Sequence, residues 1–242
     1  MLPLRYLLLQ VREPQDLIRV QEVGCFARAI GCDVDCIAPF DLLNERLTTK
    51  VLANVDAVLV GGSGDYSAAG ESFWLEQTLN DLQLLYELRK PTFASCWGFQ
   101  ALARAMGGRC IHDPDHAELG TLSLQLTSDG QADPLFGKLT SPFFGQAGHE
   151  DHVTELPPDA LLLASSSMVK NQAFKFKGAP IYCTQFHPEL DRDTLLERVR
   201  AYPQYAERIA GTTVDEFAKR CVDTPNTRQL LKSFAAFVRS SH

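Results

Sequence analysis

Apolar side chains come in short dense runs near the start of the chain, separated by segments in which they recur every three or four residues. Residues 4–9 form a compact apolar run of the kind a strand shows when both of its faces are covered. In residues 16–30, Val20, Val23, Ala27 and Ile30 recur at helical spacing and Gly31 stops the run. Residues 33–38 then read as a second strand and 41–52 as a helix, although Thr48 and Thr49 are weak helix formers. Residues 55–60 read as a third strand leading straight into Gly61-Gly62-Ser63-Gly64. A crossover helix at 71–88, a strand at Thr92–Ser95 and a helix at 97–106, closed by Gly107-Gly108, complete the series. Strand, helix and strand at this interval predict a parallel sheet with helices on both faces.

After Gly108 the rhythm changes. Leu122, Leu124 and Leu126 alternate with Ser123, Gln125 and Thr127, as in a half-exposed strand. Residues 161–164, 173–176 and 181–185 suggest further strands, partly antiparallel, and 191–202 returns to helix. Residues 215–221 and 227–239 read as a helical tail with Leu230, Leu231, Phe234, Phe237 and Val238 as its apolar positions. The expected architecture is therefore α/β: an open, mostly parallel sheet with helices on both faces, some antiparallel additions and a C-terminal helical extension. The expected division is a domain over 1–200 with the extension, 201–242, packed on it.

Composition narrows the class. At 242 residues and 45% hydrophobic content the chain can bury one substantial core. A formal net charge of −7, with no concentrated Lys/Arg block, argues against nucleic acid as a partner. The apolar opening of residues 1–10 lacks a basic leading segment, and no apolar stretch approaches the length of a bilayer span, so neither secretion nor a membrane partner is expected. The seven cysteines, Cys25, Cys32, Cys36, Cys96, Cys110, Cys183 and Cys221, contain no C-x-x-C and cannot all pair within one chain. Free thiols in the cytoplasm are the expectation. Cys32 with Cys36, and the His112, Asp113, Asp115, His116 group, read as a turn and a solvated loop, so no metal and no cofactor are expected.

Candidate chemistry centres on Cys96, in Pro91-Thr92-Phe93-Ala94-Ser95-Cys96-Trp97-Gly98-Phe99-Gln100. Small residues two positions before and two after permit a tight strand-to-helix turn that projects a nucleophile at the carboxyl end of a strand. The helix that follows favours thiolate through its unpaired amides. Thr184-Gln185-Phe186-His187-Pro188-Glu189 supplies an imidazole to pair with the thiol and a carboxylate to orient the ring. Gly61 and Gly62 end a strand where amides converge, and with the Trp97 amide they are candidates for an oxyanion site.

These motifs together resemble class I, or triad-type, glutamine amidotransferases over residues 4–200. The family nucleophile motif G-x-C-x-G-x-Q is matched by Ala94-Ser95-Cys96-Trp97-Gly98-Phe99-Gln100, with alanine for the first glycine, and F-H-P-E is intact as Phe186-His187-Pro188-Glu189. Gly61-Gly62 is similar to the oxyanion loop, with Ser63 where many members carry proline. Gly148-His149-Glu150-Asp151-His152-Val153 resembles the S-H-x-D-x-V segment of the GMP-synthase-like branch, with glycine for serine. The resemblance implies a flavodoxin-like fold and a catalytic set of Cys96, His187 and Glu189, with Gln100, His149 and Asp151 bordering the glutamine pocket. It implies hydrolysis of glutamine or another γ-glutamyl amide through a cysteine thioester, releasing ammonia or an amine. A synthetase partner, a homo-oligomer, an independent glutaminase and a γ-glutamyl peptide hydrolase all stay open. The competing reading is a noncatalytic sensor or assembly subunit of the same fold.

Overall fold

A computed structural model describes residues 3–240; Met1, Leu2, Ser241 and His242, which fall at the ends of the two expected units, lie outside the described residues. The chain runs β1 (Tyr6–Val11), α1 (Ile18–Ile30), β2 (Ile37–Asp41), α2 (Thr49–Leu52), β3 (Ala57–Ser63), α3 (Phe73–Glu87), β4 (Thr92–Ser95) and α4 (Trp97–Ala105). It continues through β5 (Arg109–His112), β6 (Glu118–Leu126), α5 (Ser128–Ala132), β7 (Phe143–His149), β8 (Asp151–Glu155), β9 (Ala160–Ser165), β10 (Ala173–Phe176) and β11 (Ile181–Thr184). Four helices follow: α6 (Arg192–Ala201), α7 (Gln204–Ala210), α8 (Val214–Arg220) and α9 (Pro225–Ser240).

Among the described residues, nine strands form one sheet in the order β2-β1-β3-β4-β11-β10-β9-β6-β7, while β5 and β8 make a separate pair. The pairings from β2 through β11 are parallel, and those from β11 through β7 are antiparallel. β1 is buried along its whole length because its alternate side chains serve two cores. Tyr6 and Leu8 join Phe26 and Ile30 of α1 and Leu231 and Phe234 of α9 on one face. Leu7 and Leu9 join Leu82 of α3 and Phe99 and Leu102 of α4 on the other. The apolar stripe of the tail thus lies in a core cluster, with the Phe234 ring edge-on to Phe93 of β4 at 5.6 Å between centroids.

Several local expectations need correction. The helix expected over 41–52 shrinks to Thr49–Leu52, because the Asp41 side chain accepts the Leu43 N–H at 3.0 Å and Thr48 caps Val51 at 3.3 Å. Polar side chains there capture the backbone before a helix can start. The second strand begins at Ile37, after a 3-10 turn over Val34–Cys36. On α1 the expected Ala27 and Ile30 are buried, but so are Glu22, Cys25, Phe26 and Ala29, whereas Val20 is 79% exposed. The loop expected around His112 is a strand end paired to Asp151, followed by a 3-10 turn. Among the described residues no helix is long and apolar enough to cross a membrane, and no group of three or more His, Cys, Asp or Glu could hold a metal ion.

Candidate active site

Cys96 is the single residue between β4 and α4, and its backbone adopts φ 52° and ψ −105°. That conformation costs a non-glycine residue on the order of 1–3 kcal/mol and persists only where the surroundings enforce it. Both sides of the residue are tied down. Its N–H donates to the Thr184 carbonyl at 2.8 Å, and its carbonyl accepts the Gln100 N–H at 3.1 Å, opening the helix. Ala94, where the family has glycine, lies in β4 opposite Val60 and Cys183, outside the positive-φ region, so its methyl group is no burden. Gly98 is required by close approach: a Cβ there would sit 2.7 Å from Val60 Cβ and 2.9 Å from the Val60 carbonyl oxygen.

His187 reaches Cys96 because β11 lies beside β4 and runs parallel to it, which brings both carboxyl ends to one edge of the sheet. The His187 N–H donates to the Gln146 carbonyl at 2.7 Å, holding the turn against β7. Its Nδ1 lies 2.6 Å from Glu189 Oε1, with both side chains buried. A methyl group at Gly62 would lie 3.1 Å from His187 Cε1 and 3.9 Å from Cys96 Cβ, so the glycine leaves room for imidazole and nucleophile to meet. Burial works against the charged imidazole, but Glu189 and then Cys96 outweigh it and hold its pKa up to about 9. Burial likewise opposes charge on Glu189, and His187 and Arg198 bring its pKa below the ordinary carboxylate value.

The Cys96 sulfur lies 3.7 Å from the Gly148 carbonyl oxygen and 3.9 Å from Gln185 Nε2. Gln185, unassigned in the sequence although inside the His187 motif, also accepts from Gln100 Nε2 at 3.2 Å. Gln100 Nε2 donates as well to the Asp151 carbonyl at 2.7 Å, so its amide group is spent on bracing the site. His149 Nε2 pairs with Glu118 Oε2 at 3.1 Å, and the Asp151 carboxylate accepts from Ser67 Oγ at 2.5 Å and pairs with His112 at 2.8 Å. The segment holding His149 and Asp151 is a pair of buried strand ends, β7 closing on His149 and β8 opening on Asp151.

The glycine segment holds a second surprise. The Gly62 N–H, a candidate oxyanion donor, donates to Glu22 Oε1 at 3.2 Å. The side chain of Glu22 is fully buried; it pairs with Arg12 at 3.4 Å and Arg198 at 3.8 Å, and Arg198 also pairs with Glu189 at 3.6 Å. A Cβ at Gly61 would strike the Glu22 carboxylate at 2.6 Å, which explains the first glycine. Trp97 is the first residue of α4, so its N–H has no partner one turn back within the helix. Glu22, Arg12 and Arg198 escaped the sequence reading because each looks like an ordinary surface charge. The one usable signal was Glu22 standing beside Cys25 and Phe26 at helical spacing.

Two clefts meet at the sulfur, sharing Ser63, Cys96 and Gly148 in their walls. One, of about 70 Å³, includes His187, Arg12, Arg198, Tyr202 and Tyr205. The other, of about 170 Å³, includes Trp97, Gln100, His149 and Asp151. The candidate residues therefore converge on Cys96 from both sides, with Glu189 behind His187.

Comparison with known proteins fits this geometry. Residues 26–195 match the family described as Glutamine amidotransferase class-I. The chain is 28% identical over 183 residues to Gamma-glutamyl peptidase 3 of Arabidopsis thaliana, covering 74% of this chain and 70% of that one. It is 32% identical over 122 residues to the glutamine-hydrolyzing GMP synthase of Christiangramia forsetii, covering 50% of this chain but 23% of that protein. A solved glutamine amidotransferase from Thermotoga maritima shares the fold with a TM-score of 0.75 at 19% identity, covering 97% of each chain.

Proposed function

The chain belongs to the class-I glutamine amidotransferase family, and on that premise we propose that it hydrolyses a γ-glutamyl amide through a thioester on Cys96. The observation that carries this reading is the strained turn that holds Cys96 beside the buried His187–Glu189 pair, with its 2.6 Å contact. An imidazole whose pKa is raised to about 9 is protonated at neutral pH, ready to hold a thiolate and later to give its proton to a leaving nitrogen.

In the first step the Cys96 sulfur attacks the γ-carbonyl carbon, and the negative charge gathers on oxygen near the Trp97 N–H. A donor of this kind contributes about 3 kcal/mol to the rate. Gly61 and Gly62 contribute clearance, since the Gly62 amide serves Glu22. The C–N bond breaks as His187 protonates the nitrogen, leaving the γ-glutamyl thioester. His187 then takes a proton from a water whose oxygen attacks the thioester carbonyl carbon. The new C–O bond forms as the C–S bond breaks, and glutamate leaves while the Cys96 sulfur is restored beside the protonated His187. Glu189 keeps Nδ1 oriented throughout, while Gln100, His149 and Asp151 border the acyl group.

Release of the amine to solvent, as a γ-glutamyl peptide hydrolase would do, is the second reading. It draws support from the peptidase relative, 70% of whose length is covered. Delivery of ammonia to a synthetase partner draws support from the GMP synthase relative. Homo-oligomer formation and a cytoplasmic location belong to the same proposal, as does treating 201–242 as an extension of the 1–200 domain. All seven cysteines are unpaired, which fits a reducing compartment.

The test is glutamate release from glutamine and from γ-glutamyl amines, with intact-protein mass read after rapid quenching. The wild type is expected to release glutamate and show the acyl adduct, and Cys96→Ala to do neither. Glutamate from the alanine variant would overturn the mechanism; binding without conversion by the wild type would favour the noncatalytic sensor.

A further inference from the structure

The two clefts at Cys96 are chemically different, and the position of His187 tells them apart. His187 lies in the wall of one, while Trp97, Gln100 and Asp151 lie in the wall of the other. The nitrogen that departs must receive the His187 proton, so it leaves on the His187 side of the sulfur. The acyl chain then occupies the side of Trp97 and Gln100. Resting on the hydrolase reading above, we propose that the His187-side cleft is a leaving-group subsite for amines bearing an apolar or aromatic substituent, so that substituted γ-glutamyl amides are better substrates than glutamine.

Size is the first support. A water-sized leaving group such as ammonia needs about 10–15 Å³, whereas the cleft on this side offers about 70 Å³. Its lining is the second. Leu119 and the rings of Tyr202 and Tyr205, edge-on to each other at 6.0 Å, face the cleft, backed by the buried Leu190, Leu195 and Val199. Both tyrosines come from the segment beyond residue 201, and their hydroxyls are occupied elsewhere. Tyr202 donates to Asp16 at 2.7 Å and Tyr205 to the Gly64 carbonyl at 3.1 Å, which leaves the rings as the available surface. Burial, and for Tyr202 also Asp16, pushes both phenols above their ordinary pKa, so the wall is uncharged at neutral pH.

Charge is the third support. Arg12 is paired with Asp16 and Glu22, and Arg198 with Glu22 and Glu189. The two guanidiniums face three carboxylates, Glu22 being shared, so the cleft has little positive charge to spare for a carboxylate on the leaving amine. A neutral apolar substituent fits better. The step balances as before: the γ-carbonyl C–N bond breaks, the amine leaves with the His187 proton, and water later cleaves the thioester.

The test compares kcat/KM for glutamine, γ-glutamyl methylamide, γ-glutamyl butylamide and γ-glutamyl benzylamide, scored by glutamate release. The wild type is expected to favour the benzylamide over glutamine by roughly tenfold or more, the selectivity an apolar pocket supplies. Leu119→Trp, which fills the cleft, and Tyr205→Ala, which removes a wall, are each expected to lower that ratio at least about fivefold. Because the ratio is taken within one preparation, the amount of folded enzyme cancels. Glutamine cleaved at least as well as the benzylamide by the wild type, or a ratio unmoved in both variants, would overturn the subsite alone. Glutamate from none of the four substrates would overturn the hydrolase reading and this inference with it.

Discussion

Buried charges usually shed their charge or find partners, and at this site they find partners. His187 titrates near 9 because Glu189 and Cys96 outweigh its burial. This predicts an alkaline limb in the kcat/KM profile for γ-glutamyl amide hydrolysis, with activity falling as pH rises through about 9 and the imidazolium is lost. Glu189→Gln removes the largest influence that raises the His187 pKa, so the limb should move to lower pH, with kcat/KM at neutral pH reduced roughly 100-fold or more. A pH–rate series on both proteins checks it; an unmoved limb would show that Glu189 does not control this proton. The same shift carries a stability sign. A raised imidazole pKa contributes stability that is fully present below its ordinary value of 6.5 and is lost as pH rises through about 9. The lowered pKa of Glu189 acts in the opposite direction, its contribution being lost as pH falls below 4.5 and through the folded value.

At the scale of elements, the β4–α4 junction depends on how closely the helix can lie on the neighbouring strand. Alanine at position 98 would gain roughly 1 kcal/mol of helix propensity over glycine. Against this, its Cβ would stand 2.7 Å from Val60 Cβ and 2.9 Å from a backbone oxygen that cannot rotate away. Overpacking of that kind costs about 1–3 kcal/mol. Gly98→Ala is therefore expected to lower stability by up to about 2 kcal/mol net, and to slow alkylation of Cys96 by iodoacetamide as the turn shifts. A denaturant melt and a timed mass measurement check both. The glycine was visible in the sequence as part of the nucleophile motif, and β1, β3 and β4 were visible as apolar runs because they are covered on two faces. β5, β7 and β8 were not visible. β7 carries Gly145, Gln146 and Gly148 in its seven residues, and β8 opens with Asp151 and His152. Their strand form comes from pairing with distant partners, Gly145 with Leu122 and His152 with Ile111, which overrides weak local preference. The catalytic motifs were legible because backbone geometry and reactive chemistry both constrain them. The ion pairs around Glu22 were hidden, since they depend on where three separate segments converge.

For the whole molecule, the site stands on a core closed by the last helix. β4, which delivers Cys96, has Phe93 turned away from α4, and that ring is covered by Phe234 of α9. The far end of the chain thus supports the strand beneath the nucleophile from the opposite face of the sheet. The tail also supplies Tyr202 and Tyr205 to the cleft beside His187, so the segment after residue 201 lines the site directly and supports it through the core. If the support is mechanical, its loss should lower stability first and chemistry only through unfolding. Phe234 is fully buried, and its replacement by alanine should cost about 3–5 kcal/mol by the combined loss of transfer energy and residual cavity. Gln229→Ala, on the exposed side of the same helix, should stay within about 0.5 kcal/mol and serves as the control. Urea melts give both values, and the alkaline limb of Phe234→Ala, measured well below its melting temperature, should stay where the wild type has it. A shifted limb with an unchanged melt would mean that α9 acts on the imidazole and not through the core, where it packs beneath β4 and against Phe186 and β7, whose Gln146 carbonyl holds the His187 N–H.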